Sequence, residues 1–301
     1  MNKIKSILFY IIRKVVRPLS GFGLGNVEPF STLYRLISKA TIPETQRQIR
    51  INGFDIIVRM GGKWGTGGIA GDLIYNGEYE PMTTRVFKHI LKPDMRVIDV
   101  GANVGYFTLL SASIVGNKGR VYSFEPEQKN FNELLSNIEL NGYKNVTANR
   151  KAVDSKNGIA QFSVSRFEPG RHSLIADTMG GKIDKVDVET IRLDDAVKGK
   201  IDLIKTDTEG NEFGVIQGAE KLLRQKDIKL IVEFFSINNN NARYTFMELW
   251  ELIKGQGFEY MYLLDERKHE LIQADYANIK HHVVGLKYSG NVLCSKTPVE
   301  I

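Results

Sequence analysis

The sequence predicts an α/β domain with a doubly wound, mostly parallel sheet, preceded by an N-terminal helix and a β-hairpin. Three observations carry that prediction. From Arg96 onward, short apolar runs alternate with segments of helical length and periodicity, and parallel strands need crossovers that such helices supply. The stretch Arg96 to Leu110, RVIDVGANVGYFTLL, reads as a buried strand that breaks at Gly101 and restarts as a helix near Val104. At 301 residues and 42% hydrophobic, the chain is long enough to bury a full core, and one large domain with an appendage fits better than two equal ones.

Taken in order, residues 4–19 place Ile4, Ile7, Leu8, Ile11, Val15 and Leu19 on one helical face, with Lys5, Arg13 and Arg17 on the other. Its uninterrupted apolar run, Ile7 to Ile12, is far short of the roughly 20 residues a membrane span needs. Arg13 and Lys14 also argue against a secretory signal. The helix either lies on an anionic membrane surface or docks on its own domain. Residues 21–43 read as a linker around a short helix, and 48–59 as a hairpin turning at Asn52-Gly53. The glycine-rich run 61–71 lacks a following Lys-Ser/Thr pair and reads as a loop rather than a phosphate cradle. A helix is expected from about Met82 to Leu91.

The sheet domain follows. Strands are expected at 96–101, 120–125, 146–151, 201–207, 228–235 and 258–263. Helices are expected at 104–115, 128–141, 212–224 and 244–256. A longer excursion, roughly 154–198, holds two β-like runs around a glycine-rich loop, and Val283 to Lys287 is a candidate closing strand. We therefore divide the chain into a basic helix and linker (1–45), a hairpin and helical lead-in (46–95), and the sheet domain (96–301). No internal repeat is present, and no pattern sets an oligomeric state.

The formal charge of +6 is concentrated ahead of Glu28, the first acidic residue. No basic stripe with interleaved aromatics recurs beyond it, so the composition does not point to nucleic acid. A single cysteine, Cys294, excludes an internal disulfide framework and a Cys-based zinc site, which fits a reducing, cytoplasmic setting with peripheral contact at the inner membrane face through residues 4–19.

In open parallel sheets, ligands sit beyond the carboxyl ends of the strands. That rule selects Asp99 and Gly101 after the first strand, Glu125 after the second, Ala152 and Val153 near the third, Asp207 and Glu209 after the fourth, and Glu233 in the fifth. So many acids would repel pyrophosphate unless a helix N-terminus or metal held it. Glu125 follows Gly101 at about the spacing of an acid that bonds a ribose diol. The turn Gly101-Ala102-Asn103-Val104-Gly105 lacks the middle glycine that lets backbone meet pyrophosphate. A phosphate-free cationic nucleoside, S-adenosylmethionine, fits better than a dinucleotide on electrostatic grounds.

The segments VIDVGANVGYFTLLSA, VYSFEPEQKNFNELLSNIELNGYKNV, KAVDS and DLIKTDTEGNEFGVIQGAEKLL, with the lead-in GEYEPMTTRVFKHILKPDMRVIDVGAN, resemble the FkbM family of S-adenosylmethionine-dependent methyltransferases. The resemblance covers roughly residues 72–235. It implies a class I methyltransferase (Rossmann-like) fold and O-methylation of a sugar, glycan or natural-product hydroxyl. Carried over by motif, Asp99, Gly101, Asn103 and Gly105 would contact the methionine part of the donor, Glu125 the ribose, and Ala152, Val153 and Asp154 the adenine.

On the acceptor side, a carboxylate within hydrogen-bond reach can take the hydroxyl proton as the new bond forms. Asp207 is the first choice for that base and Glu209 the second, with Glu212 close by. Glu233 and His172, in the excursion's loop GRHSL, are candidate acceptor contacts. Asp207, Glu209 and Glu233 could hold a divalent metal, though no ligand spacing demands one. The expected partner is a small-molecule or glycan acceptor. Two other readings are a non-catalytic nucleoside-binding or assembly subunit of a membrane-associated glycan pathway, and a nicotinamide-dependent oxidoreductase.

Overall fold

The computed structural model describes residues 45–60, 68–75, 77–165, 172–174, 183–234, 244–285 and 290–300. The basic helix expected at 4–19 and the linker after it lie outside the described residues. The first described elements are β1 (Thr45–Ile51) and β2 (Phe54–Met60), an antiparallel hairpin. Its turn is the expected Asn52-Gly53, with φ of 52° and 91°, the left-handed pair that matches strand twist. Phe54, Ile56 and Val58 alternate inward and are buried.

Where the sequence suggested only a loop to residue 71, the structure has helix α1 (Gly68–Tyr75), anchored by buried Leu73. Core burial overrides the glycines' weak helix propensity there. Helix α2 (Pro81–Ile90) follows, with proline in its first turn and Met82, Val86, Phe87 and Ile90 buried.

The central sheet then forms from β3 (Arg96–Val100), β4 (Arg120–Phe124) and β5 (Val146–Asn149), linked through α3 (Tyr106–Val115) and α4 (Gln128–Leu140). The expected third strand, 146–151, ends at Asn149. Ala152–Val153 is a separate short strand, β6, in a second sheet with β7 (Gly158–Ser165), β8 (His172–Ser173) and β9 (Ile183–Ile191). That sheet, ordered β6-β9-β7-β8, is the excursion. The long antiparallel pairing of β7 with β9 gives the two β-like runs their partner.

After the short helix α5 (Leu193–Ala196) come β10 (Leu203–Thr206), helices α6 (Glu212–Gly218) and α7 (Glu220–Leu223), β11 (Lys229–Phe234) and α8 (Phe246–Gly255). The single helix expected at 212–224 is thus broken at Ala219. Thr245 and Glu248 form a reciprocal capping box on α8. The chain ends with β12 (Tyr260–Asp265), β13 (Glu270–Gln273), α9 (Tyr276–Lys280) and β14 (Gly290–Ser295). The closing strand is β14; Val283, expected to begin it, lies in a wide helical turn, His281–Gly285.

The sheet order is β13-β12-β14-β11-β10-β3-β4-β5. Strands β11, β10, β3, β4 and β5 run parallel, and β14 and β12 add an antiparallel edge. This is the expected mostly parallel, doubly wound α/β fold. The order in which strands are added reverses at the β3–β10 junction, the switch point where ligands bind in such sheets. The hairpin does not join the sheet. Instead, Asn137 and Asn141 at the end of α4 accept from the N–H groups of Ile57 and Asp55, at 2.7 and 2.8 Å, capping what would be an open edge.

Candidate active site

The turn from β3 to α3 is built by close approach of two strand ends. Gly101 has φ of 79°, and a Cβ there would lie 1.8 Å from the backbone oxygen of Asp207. Gly105, at φ 101°, precedes α3, where a Cβ would press on Leu134. Between them Asn103 adopts φ 51°. Asp99 is buried below this turn, and its Oδ2 accepts from Thr108 Oγ1 at 2.6 Å.

The N–H groups of the turn are already used. Asn103 N donates to Glu125 Oε2 (2.9 Å), Val104 N to Asn103 Oδ1 (2.8 Å), and Gly105 N to Ala102 O (2.9 Å). A pyrophosphate would have to displace these bonds to reach the N–H groups of Asn103, Val104 and Gly105. Glu125 is nine-tenths and more buried, and its other oxygen accepts from Glu127 N at 2.9 Å. Each oxygen keeps a lone pair that a ribose hydroxyl can use. These residues fit a nucleoside without phosphate.

Burial pushes the Glu125 carboxyl up to about 8, against the pull of those two N–H groups. The unfolded chain releases that proton near 4.5, whereas the ligand-free fold retains it. Folding stability is therefore greatest below about 4.5 for this group and is lost as pH rises through about 8. Thermal melts of the ligand-free protein between about pH 5 and pH 9 are expected to show falling stability. Glu125→Gln is expected to flatten that slope; parallel slopes would remove Glu125 as its source.

At the carboxyl ends of β10 and β11 the structure brings together three of the acids singled out for the acceptor side. Carboxylate oxygens of Asp207, Glu209 and Glu233 lie within 4.8 Å of one another, and Glu209 has a left-handed φ of 54°. Glu212 does not join them. It is fully buried and accepts from Thr208 N, Thr208 Oγ1 and Tyr244 OH at 2.8–2.9 Å, so it holds the loop in place.

Sequence reasoning missed two groups. Lys205, 2% exposed, points its ammonium at Asp207 Oδ2 (2.9 Å) and over the Phe107 ring, 4.8 Å from its centroid. Burial would lower this lysine, but Asp207, Glu80 and Asp99 outweigh it and raise it. For Asp207, burial acts upward while Lys205 and a hydrogen bond with Glu233 hold it below the usual carboxylate range. Inside DLIKTD, Lys205 carries the inward register of a buried strand, a charge where an apolar residue is expected. That was its one sequence signal.

The second missed group is Glu80, ahead of α2. It sits at φ 41°, and Asn291 Nδ2 donates to its Oε2 at 2.9 Å. Burial pushes its carboxyl up to about 7, with Lys205 pulling it down and Asp207 and Glu266 pushing it up. A glutamate held in the left-handed region beside other carboxylates is the type of strain found at functional sites.

The residues expected beside the adenine lie in and just after β6, beyond the third strand. Ala152 and Val153 are buried in β6 and belong to the second sheet rather than to the third strand's end. Asp154 packs against α6, where a Cβ on Gly214 would lie 2.3 Å from its Oδ1. His172 is in strand β8, paired with Val164, not in a loop; its side chain lies outside the described residues.

A family model for the methyltransferase FkbM domain matches residues 99–260, more than half of the chain. The chain belongs to the FkbM methyltransferase family. This is a family of S-adenosylmethionine-dependent enzymes, as the resemblance implied, and the phosphate-free nucleoside site described above suits that donor. The FkbM domain spans the Gly101 turn, Glu125 and the acids Asp207, Glu209 and Glu233. Methyltransferase sdnD of Sordaria araneosa is 28% identical over 157 residues, covering 42% of this chain and 60% of sdnD. The chain therefore spans less than two thirds of that relative. A crystallised methyltransferase FkbM from Methylobacillus flagellatus is 15% identical, with 70% of this chain and 50% of that chain covered and a TM-score of 0.42. Fibrillarin of Aeropyrum pernix, crystallised with natively bound S-adenosylmethionine, is 12% identical, with 83% and 82% covered and a TM-score of 0.43. Among the described residues no helix is long and apolar enough to cross a membrane.

Proposed function

We propose that the protein is an O-methyltransferase that methylates a hydroxyl of a sugar, glycan or natural product. The observation that supports this reading is the group of carboxylates Asp207, Glu209 and Glu233 beside the Gly101 turn, with the buried Lys205 ammonium paired to Asp207 and facing Glu80 and Asp99. When bound, S-adenosylmethionine supplies an electrophilic methyl on a sulfonium. The chain's own residues orient the acceptor and manage one proton. An alcohol is a poor nucleophile near neutral pH, and a carboxylate in hydrogen-bond reach takes its proton as the oxygen–carbon bond forms.

Asp207, kept ionised by Lys205, accepts the hydroxyl's hydrogen bond and aims the oxygen. The proton enters the coupled carboxylate group, in which Glu80 lies nearest to neutral pH. Glu209 is the alternative acceptor of that proton. Glu125 holds the ribose and Asp99 supports the turn under the donor. An acceptor carried on a membrane-associated glycan would suit the basic amphipathic face of residues 4–19.

The test uses S-adenosylmethionine with an isotopically labelled methyl, a panel of sugars, glycans and hydroxylated natural products, and mass detection. A labelled acceptor and S-adenosylhomocysteine are expected. Intact donor binding with no labelled product across the panel would favour the assembly-subunit reading instead. In the same assay Glu125→Ala is expected to weaken S-adenosylhomocysteine binding at least about tenfold, or about 1.4 kcal/mol by calorimetry. Unchanged binding would remove Glu125 from the donor site.

A further inference from the structure

A cleft of about 420 Å³ opens beside the acid cluster, bounded by the hairpin turn, the first turns of α2, the start of α3 and the β12–β13 turn. Its inner wall is aromatic. Tyr79 meets Tyr106 edge-on at 5.3 Å and Phe107 at 6.0 Å, and Phe107 in turn carries the Lys205 ammonium on its ring. Tyr79 also hydrogen-bonds Glu80 and lies in the field of Asp207 and Glu233, so the cleft and the acid cluster share this residue.

Two features describe what the cleft would take. First, it is cationic. Arg85 and Lys88 stand exposed on one face of α2, and Glu78 is the one acid among the described lining residues. Among the described residues neither forms an ion pair. Arg85 reaches only the His269 carbonyl at 3.5 Å, and Lys88 the Asn52 amide oxygen at 2.6 Å. The positive end of α2 is already served by Glu266, whose carboxylate accepts from Met82 N and Thr83 N at 2.8 Å. Second, its floor is a fixed hydroxyl and amide network. Buried Tyr106 OH accepts from Asn52 Nδ2 at 2.8 Å and lies 3.1 Å from Thr84 Oγ1. The part-exposed Tyr79 ring beside fixed polar groups suits a sugar ring, and two exposed cations with no ion pair among the described residues suit an anion on it.

We propose that this cleft binds the methyl acceptor and that the acceptor is an anionic sugar, a hydroxylated ring carrying a carboxylate or phosphate. The proposal rests on the methyl-transfer reading above and narrows its substrate class. The decisive experiment is ligand-observed NMR titration of the full chain with glucose, glucuronate and glucose 6-phosphate, with and without S-adenosylhomocysteine. At least one anionic sugar is expected to bind about tenfold tighter than glucose, and the two anions separate carboxylate from phosphate recognition. The double variant Arg85→Gln, Lys88→Gln is expected to erase that preference while S-adenosylhomocysteine affinity stays within about twofold. An absence of anionic preference in the wild type, or its survival in the double variant, overturns the proposal. A wild-type protein that prefers the anionic sugar but does not bind S-adenosylhomocysteine would instead overturn the methyl-donor reading and leave the cleft's anion site standing.

Discussion

Gly101→Ala is expected to lower unfolding free energy by about 4 kcal/mol or more and to abolish binding of S-adenosylhomocysteine. The new methyl would sit 1.8 Å from the backbone oxygen of Asp207 and 2.8 Å from its carbonyl carbon, at a φ of 79°. Both obstacles are main chain at the ends of neighbouring central strands, so no rotamer change relieves them. The strands β3 and β10 would have to part, and with them the turn and the acid cluster. Gly142→Ala is the control: its φ of 64° is also left-handed, but its Cβ would meet nothing within 4 Å. It should cost only the backbone term of roughly 1–2 kcal/mol and leave binding intact. Chemical denaturation and calorimetry read both effects, and a Gly101 variant as stable as the control would show that the strand ends do not meet as described.

Lys205→Met should be nearly as damaging, with a loss of about 3–5 kcal/mol, because removing one partner of a buried pair leaves uncompensated charge. Here the stranded charges are several: Asp207 loses its 2.9 Å partner, and Asp99 and Glu80 lose the same cation. Asp207→Asn removes the opposite partner. It is expected to lower turnover by about 10²–10⁴ while donor affinity changes little, since it acts on the acceptor's proton. The double variant Lys205→Met, Asp207→Asn is expected to be more stable than the sum of the single losses allows, with a coupling of about 1–3 kcal/mol. Strictly additive losses would mean that the pair is not an energetic unit. A fully active Asp207→Asn would remove Asp207 from the proton-handling group.

The parallel core, the hairpin turn, the Gly101 turn and the acids at the strand ends were legible because they depend on local patterns. Alternating or continuous apolar runs mark strands, helical periodicity marks crossovers, and Asn52-Gly53 meets the left-handed geometry of a tight turn. The grouping of Asp207, Glu209 and Glu233 followed from one rule about strand ends. Errors arose where partners are distant. Ala152 and Val153 continue the third strand in sequence, yet β6 pairs with β9 because that second sheet buries its own apolar face. The closing strand lies at Gly290–Ser295, since its buried residues fit between β11 and β12.

The glycine turn as a motif, the parallel core and the family were legible in the sequence alone, through local residue patterns. The reactive corner was decided only by tertiary structure. Glu80 becomes part of it through Asn291, 211 residues away, and Lys205 through three carboxylates drawn from separate elements. Charge is a long-range quantity, and no local pattern states which buried ammonium will face which acids until the sheet has closed around them.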